Sequence, residues 1–146
     1  MSLYAESTKV PVSQSRVEIE RLLERHKAMQ YGTAVDYEKL TARVQFRLHD
    51  RIVRFVINLP DRKKLGNGTR FEQAERQRWR ALLLVIKAKL ESVENTIESF
   101  ESAFLGQIVM PNDATVAEIV VPQIAESYKS GRMPRHALTA GEEPPS

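Results

Sequence analysis

The sequence predicts an α+β fold: a three-stranded antiparallel meander with an N-terminal helix, one long central helix and a C-terminal helix. Three observations carry that prediction. Apolar residues recur at steps of three and four over residues 15–29 and again over 70–105, but at steps of two over 31–59. Within the alternating stretch, His49-Asp50 divides two apolar sets that mirror one another. Ser or Thr followed three residues later by Glu stands at the start of each helical stretch, as a capping box requires.

Residues 1–12 read as an extended arm and residues 13–131 as a single domain. Ser13 or Ser15 can cap the first helix, and Ser15 with Glu18 fits the first capping box. Val17, Ile19, Leu22, Leu23 and His26 then follow at helical spacing to about Met29, opposite a polar face of Arg16, Glu20, Glu24 and Lys27. The period next becomes two. Leu40, Ala42, Val44, Phe46 and Leu48 alternate with Thr41, Arg43, Gln45 and Arg47, and Val53, Phe55, Ile57 and Leu59 form the second set. A two-residue turn at His49-Asp50 opposes Phe46 to Val53, Val44 to Phe55, Ala42 to Ile57 and Leu40 to Leu59, all on one face. A slip by one residue would undo that match. A second tight turn near Glu38-Lys39 adds Tyr31, Thr33, Val35 and Tyr37 to the same face, and Pro60 ends the third strand.

Residues 61–68 read as an exposed basic loop, and Thr69 with Glu72 opens the long helix. Its stripe (Trp79, Leu82, Ile86, Leu90, Val93, Ile97, Phe100, Phe104) carries it to Leu105, with Gly106 closing it. Such a helix is about 54 Å long at ~1.5 Å per residue. A nine-residue strand reaches only ~30 Å. Half the helix therefore overhangs the sheet and needs other cover, from the C-terminal helix or from a second copy. A short apolar piece at Ile108 to Met110 and a turn at Pro111 to Asp113 follow. Thr115 with Glu118 caps a last helix that carries Val116, Ile119, Val120, Ile124 and Tyr128 on one face and stops at Gly131. Pro122 should kink or divide it. Residues 132–146, rich in proline and without a period, read as a disordered tail.

With 42% hydrophobic and 28% charged residues the composition is that of a globular protein. There is no cysteine, which excludes disulfides and thiol chemistry. No apolar run approaches the length of a membrane span, and no signal-peptide pattern opens the chain. A cytoplasmic setting, with no membrane partner, is the expectation. The net charge of +3 is unevenly distributed: residues 1–90 hold 19 Lys and Arg against 10 Asp and Glu, the remainder 3 against 9. That asymmetry favours a polyanionic partner or self-association of opposite ends.

Signatures of catalysis are scarce. His26, His49 and His136 have no partner at metal-ligand spacing, the aspartates fall in turns, and Gly66-Asn67-Gly68 lacks the Lys-Ser/Thr of a phosphate loop. The chain is therefore read as a non-enzyme, without cofactor, metal or small-molecule substrate. The basic residues are the better lead. Arg43, Arg47 and Arg54 project from the sheet face opposite the apolar one, beside Arg62, Lys63 and Lys64, and together suit the phosphates of DNA or RNA. The alternative is a dimeric interaction module, an adaptor or inhibitor of a host protein. Its seam would be the long helix: Arg76, Trp79, Arg80, Ile86, Lys87, Leu90, Glu91, Val93, Ile97, Glu98, Phe100 and Phe104. Run antiparallel, two such helices would bring Arg80 towards Glu98, Lys87 towards Glu91 and Arg76 towards Glu101.

Tyr4 to Val12 (YAESTKVPV), Ser15 to Glu20 (SRVEIE), Arg78 to Ala81 (RWRA), Ile86 to Glu91 (IKAKLE) and Pro122 to Ala125 (PQIA), with Tyr128, Gly131 and Pro134, supply a resemblance. Through these segments the chain resembles a family of small bacteriophage and prophage proteins, over nearly its whole length to residue 134. It departs in the loop after Pro60, which is longer in many relatives. The resemblance implies a phage-related origin and action inside a bacterial host cell, and it transfers no catalytic residue. The order of elements is also similar to double-stranded RNA-binding domains and to single-strand annealing proteins, an analogy of fold that carries no function.

Overall fold

The computed structural model describes residues 8–66 and 68–139. In chain order they form α1 (Val12–Arg25), β1 (Gln30–Asp36), β2 (Thr41–Leu48), β3 (Arg51–Asn58), α2 (Arg62–Leu65), α3 (Thr69–Glu94), α4 (Phe100–Ala103) and α5 (Val116–Ser130). The α+β architecture is the one the sequence predicts. The sheet has the order β1-β2-β3, antiparallel throughout.

Its register follows from the first turn. His49 and Asp50 both take positive φ, 50° and 58°, as a type I′ two-residue turn requires. Phe46 therefore opposes Val53, Val44 opposes Phe55 and Ala42 opposes Ile57, and Leu59 donates its N–H to the Leu40 carbonyl at 2.8 Å. The connection from β1 to β2 is a four-residue loop in which the Asp36 carboxylate accepts from the N–H groups of Glu38 and Lys39, both at 2.9 Å. Tyr31, Thr33 and Val35 share the apolar face as expected, but Tyr37 falls in the loop.

Helices α1 and α3 cover that face. Ile19, Leu22 and Leu23 meet Trp79, Leu83 and Ile86 in one core with Val44, Phe46, Val53 and Phe55. At the rim Arg80 donates to Glu18 at 2.6 Å, and the Arg16 guanidinium lies 5.2 Å above the Trp79 ring. Burial raises the Glu18 carboxyl. Hydrogen bonds from Arg80 and Gln14, with the charges of Arg80 and Arg21, outweigh that and hold it below its ordinary value.

Two of the expected caps are absent. Helix α1 begins at Val12, one turn before the predicted start, so Ser15 lies inside it and is fully buried. Its hydroxyl has no hydrogen-bond partner among the described residues. Helix α3 is preceded by Gly68 without a side-chain cap, which places Thr69 in its first turn. Thr8 is buried beside α3, where its carbonyl accepts from Gln73 Nε2 at 2.9 Å; residues 1–7 of the predicted arm are outside the described residues.

The long helix is shorter than its apolar stripe predicts. It ends at Glu94, not Leu105, and at 26 residues measures about 39 Å. Asn95 caps it and Thr96 takes the left-handed conformation, φ 57°. The Thr96 N–H reaches the Val93 carbonyl at 3.1 Å and the Ile97 N–H reaches the Ser92 carbonyl at 2.9 Å. These two bonds make a Schellman motif, which satisfies the last carbonyls and turns the chain. Ser99 then caps α4 by accepting from the Ser102 N–H at 3.1 Å. Asn95 and Thr96 are poor helix formers and Ser99 is a strong cap, and together they outweigh a continuous apolar stripe here. The predicted overhang disappears. Phe104 folds back beneath the sheet, fully buried, with its ring 5.8 Å from Phe46 and 6.2 Å from Phe55, both edge-on.

After the 3₁₀ turn Leu105–Gln107 the chain reaches the free edge of β3. Val109 donates to the Ile52 carbonyl at 2.8 Å, and a tight turn through Pro111, Asn112 and Asp113 returns it to Thr115. Thr115 caps α5 as predicted, accepting from the Glu118 N–H at 3.2 Å, and Gly131 closes it with φ 73°. Helix α5 docks beside the 3₁₀ turn and not on an overhang, and Pro122 sits within it without dividing it. Of its predicted face only Ile119 is buried. Residues 132–139, read as tail, return to α5, where Gln123 Nε2 donates to the Ala137 carbonyl at 2.6 Å; residues 140–146 lie outside the described residues.

Two outcomes test this account. Thr96→Gly removes a β-branched side chain from a left-handed position and should stabilise the fold by about 0.5–1 kcal/mol in urea unfolding. Phe104→Ala should destabilise by about 3–5 kcal/mol, as measured by the same method.

Candidate nucleic-acid interface

Alternation along the strands sets the outer face of the sheet. Across it run the rows Gln30, Arg47, Ile52; then Gly32, Gln45, Arg54; then Ala34, Arg43, Val56. Gly32 has open space where a Cβ would stand, and Ala34 adds only a methyl group. These two positions on β1 leave a shallow hollow of about 350 Å³ flanked by Arg43, Gln45, Arg47 and Ile52. Arg43 and Arg47 are four residues apart on one strand, which separates their bases by about 13 Å.

Both arginines are exposed. Arg47 makes one loose ion pair, 3.5 Å to Asp50, in which both side chains face water, so the pairing holds it weakly. Arg43 has no acidic partner among the described residues.

Arg54 does not belong with them. It is 8% exposed, covered by the turn that crosses the β3 edge. Its Nε donates to Gln45 Oε1 at 2.9 Å, and its two terminal nitrogens reach the Asp113 carbonyl at 2.8 Å and the Asp113 carboxylate at 2.6 Å. Every arm of the guanidinium is engaged, so it fastens the 108–116 segment to the sheet instead of facing a ligand. Asp113 takes positive φ, 67°, a conformation that aspartate tolerates better than most residues.

Within the predicted basic loop, Arg62–Leu65 form the short helix α2. Asp61 caps α2 by accepting from the Lys63 N–H at 2.9 Å. Arg62 lies over the Phe71 ring at 4.5 Å and the Tyr37 ring at 5.9 Å, pinning this short helix at the β1–β2 loop. Lys63 and Lys64 remain exposed. Arg62 and Lys63 line a separate hollow of about 600 Å³ with Tyr37, Leu40 and Phe71. The six predicted cationic residues thus fall into three places: Arg43 and Arg47 on the open face, Arg54 inside, and Arg62, Lys63 and Lys64 on α2.

The residues proposed for a dimer seam are dispersed in the same way. Trp79, Ile86, Leu90 and Phe104 are core residues, at most 2% exposed, and Val93 and Phe100 are half-buried against that core. Arg80 is bound to Glu18, Arg76 to Gln73 with Glu72 nearby, and Glu98 accepts from Ser92 at 2.8 Å. Lys87 and Glu91 are exposed, and Ile97, carried off the stripe by the helix break, is 77% exposed. Of the seven apolar residues named for that seam, Ile97 alone is exposed.

One cationic surface was missed. Between α1 and α3 a hollow of about 260 Å³ gathers Arg21, Arg25, Arg80 and Lys87 around Glu18, above Leu22, Leu83 and Leu84. Arg21 and Arg25 are one helical turn apart, a signal present in the sequence; that Lys87 faces them depends on how the two helices pack. The placement of Gly32 and Ala34 on the outer face follows from the strand alternation, whereas the hollow they leave depends on which side chains stand around them.

Arg54→Met should lower stability by about 1–3 kcal/mol, since Gln45 and the Asp113 carbonyl lose their donors while the mostly exposed Asp113 carboxylate returns to water. Denaturant unfolding of the variant measures it.

Comparison with protein-family models, with curated sequences and with solved structures finds no match for this chain.

Proposed function

We propose that this chain is a non-enzymatic accessory protein, of the phage or prophage kind its sequence resembles, that holds nucleic acid by its phosphate backbone across the open sheet face. The reading is carried by one observation: Arg43 and Arg47 stand exposed and weakly engaged beside Gly32 and Ala34, which leave the middle of β1 on this face almost without side chains between Gln30 and Asp36. A phosphodiester chain can approach the strand backbone there while the guanidinium groups flank it. Lys63 and Lys64 on α2 add positive potential at the end of the sheet. Arg43 and Arg47 offer planar forks suited to two phosphate oxygens each. No aromatic side chain points from the outer-face rows, so bases gain no stacking platform there and sequence preference should be slight.

The test is a titration of labelled single- and double-stranded DNA at two salt concentrations, starting near ~50 mM. Binding should fall steeply with salt. Arg43→Ala with Arg47→Ala should weaken it roughly tenfold and flatten the salt dependence by about 1.5 log units per log unit of salt, at ~0.7–0.9 per lost phosphate contact. Folded Arg54→Met should bind like the parent. No binding at low salt overturns the reading. So does binding that survives the double variant yet disappears in Arg21→Ala with Arg25→Ala, which would move the contact to the groove between α1 and α3.

A further inference from the structure

Helix α5 carries apolar residues on two opposite faces. One face seats it on the domain: Ile119 is buried and Val116 half-buried, and Gln123 ties down the returning chain. The other face looks outward. Val121, Ile124, Ala125 and Tyr128 are all exposed, Tyr128 to 89%. They sit at steps of three, one and three, the i, i+3, i+4, i+7 pattern of a helix-pairing seam. At ~100° per residue the four lie within about 50° of a common line, and Ile119 lies nearly opposite it.

We propose that this stripe binds a second copy of the chain, the two α5 helices running antiparallel about a two-fold axis between Ile124 and Ala125. Two features of the helix select that occupant. The first is shape. Reversal about the midpoint sets Val121 against Tyr128 of the partner subunit and Ile124 against Ala125 of the partner subunit. Each larger side chain then meets a smaller one, so the layers are evenly filled. The second is charge. Glu118 and Lys129 lie on the same flank of the stripe, near opposite ends of the helix. Antiparallel flanks of the same kind face each other, so Glu118 approaches Lys129 of the partner subunit, and the symmetry repeats the pair. The other flank, Val120, Ser127 and Gly131, is uncharged.

One helix pair covers less than the roughly 1,200 Å² of total area at which stable interfaces begin. The dimer is therefore weak, dissociating at about 10–100 µM. It uses a surface separate from the sheet face, and neither reading depends on the other.

Sedimentation velocity of the full chain from ~1 to ~300 µM, a range bracketing that dissociation constant, should show the 16.7 kDa monomer shifting towards twice that mass. Ile124→Asp, at an exposed position, should keep the parent's circular dichroism and remain monomeric throughout. The absence of native cysteine allows a geometric test. Ala125→Cys lies beside the proposed axis and should form a disulfide-linked dimer under mild oxidation. Lys129→Cys places its two thiols about 13 Å apart along the seam and should not. A parent chain monomeric at the highest concentration overturns the proposal and leaves the stripe to a different partner. Equal crosslinking of the two cysteine variants overturns the antiparallel arrangement.

Discussion

The burial of the Phe104 ring beneath the sheet governs how the last third of this molecule is arranged. Phe46 and Phe55 project from adjacent strands, and the space between them and the end of α3 accepts one aromatic ring edge-on. Filling it removes a large apolar surface from water and adds two favourable ring contacts, together several kcal/mol by the usual cost of truncating a buried phenylalanine (about 3–5 kcal/mol). The ring arrives only because α3 stops at Glu94. A straight continuation would carry Phe104 beyond the sheet. The Schellman turn at Thr96, though it forces a β-branched residue into a left-handed conformation, is therefore held in place by the packing that it permits.

The remaining C-terminal features follow from that reversal. The chain leaves Phe104 next to the edge of β3, where Val109 completes a hydrogen bond that the third strand would otherwise leave open. The return turn lays Asp113 over Arg54, converting a cation of the outer face into an internal strut. Covering the β3 side also confines the open part of the face to β1 and β2, where Arg43 and Arg47 stand beside Gly32 and Ala34. Helix α5 leaves the same turn with only one short face against the domain, which is why its second apolar face meets water.

The resulting surface is divided by chemistry. The sheet face offers two exposed guanidinium groups, and the groove between α1 and α3 is basic over an apolar floor. The outer side of α5 is apolar with one acidic and one basic flanking residue. A protein that held nucleic acid on the first and paired through the third would present two binding faces in one weak dimer. That would raise effective affinity for a long polyanion without additional contacts within either copy.

By itself the sequence determined what depends on neighbours in the chain or on a strict period. The two-residue turn at His49-Asp50 and the register it imposes were readable, because a slip by one residue would expose every apolar side chain of the meander. The Thr115 cap and the Gly131 stop were readable for the same local reason. Tertiary structure decided what depends on competition. It ended α3 eleven residues early, since weak helix formers at Asn95 and Thr96 together with a seat for Phe104 outweighed an unbroken stripe. It took Arg54 out of the basic set, because only the folded chain brings Asp113 across 59 residues to meet it. It also separated the apolar residues of α5 into a docked face and a free one: helical periodicity says which residues share a side, but only packing says which side finds cover.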